Sequence, residues 1–276
     1  MTDFDKPSDL FRWCLRNTKT GSDVYSYEAC FPAYLAASAE IGYLWETYDR
    51  RLQELVEGVK AGTGLRVLEV GSGFGHDLVW TAAQGASAVG VDVNSEFVKI
   101  SRRTRTRVEE HIGRRLDVDI RRTNLLAMDE KEKFNLIYMK DVFHHLEPRD
   151  KVVSKLSALL APGGQLFIVE PNALNPLIQW QMYRIRGFKT VVEKVDAATG
   201  EKFLFGNERL VTGGGMRRAF ERHGVYGRVR RMRLLPTRLA GLAWLARLAR
   251  GLEHFGFERL AVPGCIHAIY SGRKGI

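Results

Sequence analysis

Within one short stretch, Val67-Leu68-Glu69-Val70-Gly71-Ser72-Gly73-Phe74-Gly75-His76-Asp77, an apolar run gives way to glycine at every second position. The run reads as a buried strand. The glycines leave no Cβ between the loop backbone and a ligand, so main-chain amides at the start of the following helix can approach a polar group closely. A second apolar run, Val89-Gly90-Val91, ends in Asp92, 21 residues after Gly71. Open α/β folds place a carboxylate there, against ribose hydroxyls. Strand, glycine loop, helix and second strand together make the first half of a nucleoside-binding site.

The flanking sequence fits that start. Residues 61–170 carry strand candidates at Arg66–Val70, Ala88–Val91, Val118–Arg122, Phe134–Met139 and Gln165–Glu170. The segments between them have helical periodicity, as in Val152, Leu156, Leu159 and Leu160, which predicts a parallel sheet with crossover helices. Ala161-Pro162-Gly163-Gly164 should turn the chain back into the sheet. Before this core, Tyr34 to Val59 carries apolar residues three and four apart, so 1–60 reads as a helical arm. After it, prolines and the aromatics Trp180, Tyr183, Phe188, Phe203 and Phe205 mark 171–207 as an insertion over the site. Residues 208–276 return to the core with a helix over 211–223, a strand over 226–235, a helix over 237–255 and a closing strand over 266–271. The chain has no internal repeats and no low-complexity tracts.

Composition narrows the class. The chain has 276 residues and 45% apolar content, enough for one large domain with appendages. The polar N-terminus does not read as a secretory signal, and no uncharged apolar run approaches the roughly 18 residues of a membrane span. Cys14, Cys30 and Cys265 are widely spaced, so neither a disulfide framework nor a zinc site is indicated, and a reducing cytoplasm is the expected location. The net charge of +10 sits wholly in residues 201–276, which hold 15 Lys and Arg against 5 Asp and Glu. Such a field draws acidic substrates, anionic membranes or nucleic acid, and it is equally what a solvated basic face looks like.

Three nucleoside ligands compete for the loop. A nicotinamide dinucleotide site needs G-x-G-x-x-G, and His76 stands in place of the last glycine. A P-loop needs Gly-Lys-Ser/Thr, which Gly75-His76-Asp77 lacks. A nucleoside without phosphates is left. The stretch Glu69-Val70-Gly71-Ser72-Gly73-Phe74-Gly75 resembles the first signature of the class I S-adenosylmethionine-dependent methyltransferases, an acidic residue, one spacer and Gly-x-Gly-x-Gly. The resemblance continues at Asp92, at 134–146, at Leu159–Gly164 and at Asn207-Glu208-Arg209, so it covers about 65–225. It implies a Rossmann-like, doubly wound, mainly parallel seven-stranded sheet.

It also implies a set of cofactor-binding residues. Gly71, Ser72 and Gly73 would pass under the methionine end of S-adenosylmethionine, with Glu69 helping to hold its ammonium group. Asp92 would take the ribose hydroxyls, Asn124 would accept from the adenine amino group, and Val93 and Leu125 would pack the adenine. Lys140, at the end of the fourth strand, belongs to the same set. Asp141, His144 and His145 follow that strand at the carboxyl edge of the sheet and are the catalytic candidates, with one of the histidines as general base. An adjacent histidine pair with no carboxylate or thiol partner at ligand spacing makes a poor metal site, so metal independence is expected.

The acceptor has to be read from the lid and the C-terminal quarter. The lid aromatics suit an apolar or aromatic small molecule, which points to methyl transfer to O, N or C of a metabolite in natural-product biosynthesis. An RNA methyltransferase is the alternative, suggested by Arg228, Arg230, Arg231 and Arg233. Against it, Lys140-Asp141-Val142-Phe143 lacks the Asn/Asp-Pro-Pro-aromatic signature of base-amine methylation. A non-catalytic or NAD-type nucleoside binder is the third reading. The basic amphipathic helix at 237–255 should pack its apolar face on the sheet; the competing reading lays it on a membrane. The aromatic arm is a candidate for self-association into a homo-oligomer.

Overall fold

A computed structural model describes residues 4–18, 23–36, 42–129, 131, 133–195, 200, 202–257 and 262–276. Five helices form the arm: α1 (Pro7–Asn17), α2 (Asp23–Cys30), α3 (Pro32–Ala36), α4 (Gly42–Arg51) and α5 (Gln53–Ala61). The core alternates β1 (Arg66–Val70), α6 (His76–Ala83), β2 (Ser87–Asp92), α7 (Ser95–Ile112), β3 (Val118–Arg122), β4 (Phe134–Lys140), α8 (Arg149–Leu159) and β5 (Leu160–Pro171). The insertion holds α9 (Pro176–Arg186) and a hairpin of β6 (Val191–Val195) and β7 (Lys202–Gly206). The chain then adds α10 (Gly213–Glu221), β8 (Val225–Met232), α11 (Ala243–His254) and β9 (His267–Lys274).

The main sheet has seven strands in the order β3-β2-β1-β4-β5-β9-β8. β1 to β5 run parallel and β9 runs antiparallel between β5 and β8. Sequence order reverses at β1, and the loops leaving β1 and β4 there open the crevice in which open α/β sheets bind ligands. Alternation along the strands assigns the two faces. Val67, Leu136 and Tyr138 join α6, α7 and the arm on one side, while Leu68, Val70, Ile137 and Met139 join α8 and α10 on the other. Local chemistry sets the helix ends: the Asn94 side chain accepts from the Glu96 and Phe97 amides to start α7, and Gly113 ends it.

Four details depart from the sequence reading. The arm is no appendage, since Leu10, Phe11, Tyr27, Trp45 and Tyr48 share one apolar cluster with Trp80 and Phe167 of the core. The expected turn at 161–164 is instead an irregular start to β5, where the register shifts between Phe134 and Leu136. The helix expected over 237–255 begins at Ala243, after a short 3-10 turn at Thr237–Leu239. It packs through Ala246, Ala249 and Glu253 against α4 and not on the sheet, with Leu242, Leu248 and Phe255 exposed. Its charged side is tied down: Arg50 and Tyr43 reach Glu253, and Arg250 reaches Glu46.

Candidate functional site

A cavity of about 430 Å³ lies at the carboxyl ends of the first four strands, within the range of small-molecule clefts. Its floor is Gly71, Gly73, Asp92, Val93, Asn124 and Leu125, its far wall Asp141, Val142, His145 and Leu146, and its cover Lys194, Phe203, Leu204 and Phe205 from the hairpin. Gly71 and Gly73 both have positive φ, 69° and 52°. A Cβ on Gly71 would lie 2.4 Å from a Val142 methyl, whereas one on Gly73 would meet nothing closer than 4.0 Å. The first glycine therefore lets β1 and β4 close together, and the second leaves the loop open.

Asp92 accepts from the Gly73 amide at 2.9 Å and from the Asn94 amide at 2.8 Å. Each oxygen keeps a second lone pair. Burial raises the Asp92 pKa, partly offset by these amides. Asn124 uses its side-chain oxygen on the Leu126 amide at 2.9 Å, capping the turn Leu125–Ala127, so the acceptor role expected for it is shared with a structural one.

The other expected residues stand behind the cavity wall. Lys140 forms a buried ion pair with Asp77 and bonds the Tyr48 hydroxyl at 3.0 Å, while Tyr48 also donates to Asp77 at 2.6 Å. Its ammonium thus holds α6 and the arm on the sheet. Glu69 is 4% exposed, one of its oxygens and the Ser72 hydroxyl have no hydrogen-bond partner among the described residues, and burial together with Asp77 raises the Glu69 pKa.

The two histidines differ. Nδ1 of His144 lies 2.6 Å from Glu170, which is wholly buried and also accepts from the Val142 and Phe143 amides. Burial alone would lower the His144 pKa, but Glu170 and then Glu208 raise it overall. His145 bonds the Gly206 carbonyl through Nδ1 at 2.8 Å, and burial and the adjoining His144 lower its pKa. At neutral pH it is therefore a neutral ring with a lone pair on Nε2. Only His145 lines the cavity.

Sequence reasoning missed the partners of this pair. The Phe205 ring stacks on His145 at 4.5 Å, and Gly206 approaches so closely that a Cβ would sit 2.1 Å from the His144 carbonyl oxygen. Glu208, held at φ 51°, lies 3.5 Å from His144 Nε2 and 3.9 Å from His145 Nε2. Near Asp141, Arg51 approaches its carboxylate at 3.4 Å. The buried His267, whose ring nitrogens have no hydrogen-bond partner among the described residues, has its pKa lowered by burial and by Arg51 and Arg233. The sequence offers Phe205 among the lid aromatics expected over the site, and Glu208 only within Asn207-Glu208-Arg209, where nothing marks it as a neighbour of the histidines.

A glycine loop, a carboxylate after β2 and a cavity at the strand ends define a nucleoside-binding α/β domain. The model of a methyltransferase-domain family matches residues 44–200, and the chain belongs to that family, within the class I S-adenosylmethionine-dependent methyltransferases. Methyltransferase GfsG of Streptomyces halstedii is 28% identical over 160 residues, 57% of this chain and 56% of that protein. The ubiquinone biosynthesis O-methyltransferase of Brucella ovis is 30% identical over 110 residues, 40% of this chain and 42% of that protein. The chain thus spans about half the length of the curated relatives it matches. Among solved structures, magnesium protoporphyrin IX methyltransferase of Synechocystis PCC 6803 superposes with a TM-score of 0.54 at 14% identity, covering 98% of this chain and 100% of that one. An S-adenosylmethionine-dependent methyltransferase of Mesorhizobium loti gives 0.53 at 17% identity, covering 84% and 98%. At these identities the likeness is one of fold. S-adenosylmethionine, which the family implies, is compatible with the residues present: Gly73 is open to the cavity, Asp92 retains lone pairs, and the cavity is large enough.

Proposed function

We propose that this protein binds S-adenosylmethionine over Gly71, Gly73 and Asp92 and transfers its methyl group to a small apolar or aromatic molecule held under the 191–206 hairpin. The observation that carries this reading is the shared cavity: the nucleoside-type floor and the His145–Phe205 wall face one space. The cofactor, when bound, supplies a methyl group made electrophilic by its sulfonium. The chain's own work is alignment, exclusion of water and handling of a proton. Asp92 orients the ribose, Val93 and Leu125 flank the adenine, and the hairpin covers the acceptor. His145 Nε2 accepts the acceptor's proton where there is one, its ring held by Gly206 and Phe205. His144, tied to Glu170, positions His145 and does not reach the substrate. Lys140 and Glu69 support the floor from behind.

A hydroxyl acceptor on an aromatic or quinone-like metabolite is favoured, because the lid surfaces on the cavity are Phe203 and Phe205 and one group of relatives are O-methyltransferases of ubiquinone biosynthesis. A place in natural-product biosynthesis suits that acceptor. The RNA reading loses its main support, since Arg230 is paired with Glu54 and Arg233 is 2% exposed. Calorimetry with S-adenosylhomocysteine, followed by an assay of S-adenosylhomocysteine release over a panel of phenols and catechols, tests the proposal. Binding with turnover of a phenol is expected, and NADH binding in place of S-adenosylhomocysteine would overturn it.

A further inference from the structure

The adjacent histidines were set aside as metal ligands because no carboxylate stood near them in sequence. The fold supplies one. Glu208, two residues beyond β7, brings its carboxylate to the imidazoles, and ligand atoms of His144, His145 and Glu208 all lie within 4.8 Å of one another. We propose that these three residues bind one first-row divalent metal ion, with Zn2+ as the type, and that its open positions serve the acceptor's heteroatom.

Three features support the site. First, both Nδ1 atoms are already engaged, His144 with Glu170 at 2.6 Å and His145 with the Gly206 carbonyl at 2.8 Å. That leaves Nε2 as the atom of each ring available to a metal, and a carboxylate and a backbone carbonyl are the partners that commonly fix metal-binding imidazoles. Second, the spacings fit. Glu208 lies 3.5 and 3.9 Å from the two Nε2 atoms, longer than a good hydrogen bond. Ligands about 2.0–2.2 Å from one tetrahedral ion stand roughly 3.4 Å apart, and the three ligand atoms here lie within 4.8 Å of one another, so closing on an ion takes shifts on the order of an ångström. Third, Glu208 is held in the left-handed backbone region at φ 51°, a conformation with a cost for a residue bearing a Cβ.

Two imidazoles and one carboxylate select against Mg2+ and Ca2+, which prefer all-oxygen shells, and favour Zn2+ or a neighbouring transition ion. Three protein ligands leave at least one position open. His145 lines the cavity and Glu208 is partly exposed, so that position is reachable from the acceptor side. An acceptor hydroxyl bound there loses its proton to water more readily, because the ion stabilises the oxygen anion. In the loaded protein the ion thus replaces His145 as the means of deprotonation. That role rests on the methyltransferase reading, whereas the binding itself does not.

The test uses untagged full-length protein stripped with EDTA. Zn2+ is titrated by calorimetry and Co2+ by visible absorption, in wild type, Glu208→Gln, His145→Asn and, as a control at an exposed surface histidine, His223→Ala. One equivalent of Zn2+ and a Co2+ ligand-field band are expected in wild type and His223→Ala. Glu208→Gln and His145→Asn should each weaken Zn2+ binding roughly tenfold or more and lose the band. S-adenosylhomocysteine affinity, measured in parallel, should stay within about twofold in Glu208→Gln and in the stripped protein, which shows that the variant is folded and keeps donor binding a separate question. Zinc affinity equal in wild type and Glu208→Gln overturns the site and leaves the three side chains as an electrostatic cluster.

Discussion

The N-terminal arm and the lid are both rich in aromatic residues, and the structure treats them oppositely. Phe11 is 0% exposed and Tyr48 2%, while Trp180 is 61% and Phe188 87% exposed. The arm is bonded to the glycine-loop side of the site: Tyr27 reaches His76 at 2.7 Å, and Tyr48 reaches Asp77. In the lid, α9 has no buried residue, and the hairpin meets the core mainly around His144–Leu146. On the proposed function, the donor half of the cavity is shaped by the same contacts that fold the protein, whereas the acceptor half is shaped by one hairpin. Stability and donor binding should respond to the arm side, and acceptor use to the lid side.

The largest expected effect lies under the arm. Asp77→Asn leaves the Lys140 ammonium buried beside an uncharged amide, and a loss of about 3–5 kcal/mol in urea unfolding is expected. Burial raises the Asp77 pKa, but Lys140 and Tyr48 outweigh it and leave the carboxyl below its usual range. Its contribution is therefore complete above the unfolded carboxyl value near 4 and fades as pH falls through the lower folded value. The gap in midpoint between wild type and Asp77→Asn should narrow on acidification below about pH 4. A gap that widens there breaks the contrast.

Asp92→Ala comes next, removing the acceptor for the ribose hydroxyls. S-adenosylhomocysteine binding should weaken roughly tenfold to a hundredfold, with phenol KM at saturating donor little changed. Phe205→Ala should do the reverse, raising acceptor KM roughly threefold to tenfold while the donor dissociation constant holds. If Phe205→Ala weakens donor and acceptor equally, the division between the halves is wrong. Trp180→Ala, far out on α9, should move unfolding by less than about 0.5 kcal/mol.

What could be read from the sequence follows the reach of each interaction. The glycine loop and Asp92 are local, fixed by a strand, a turn and one crossover, and both lie on the cavity as expected. The sheet was legible because its apolar runs alternate with helical periodicity. The ion pair of Lys140 is illegible because its partner, Asp77, stands 63 residues away on another element, and no local pattern records that pairing. Glu208 is illegible for the same reason, reaching His145 only once the insertion folds back, whereas Phe205 lies on the cavity as one of the lid aromatics expected there. The buried face of α11 was misread because Ala246 and Ala249 are small, while the bulky Leu248 and Phe255 that dominate a periodicity count face outward.

Gly206 gives the lid a natural seam. With a prospective Cβ 2.1 Å from the His144 carbonyl oxygen, that position tolerates no side chain unless the backbone moves, while the exposed face of α9 is under no comparable demand. A laboratory wishing to give this scaffold a new acceptor could exchange residues 176–204 wholesale, provided that the graft re-enters at Phe205-Gly206 and delivers Glu208 on the same register.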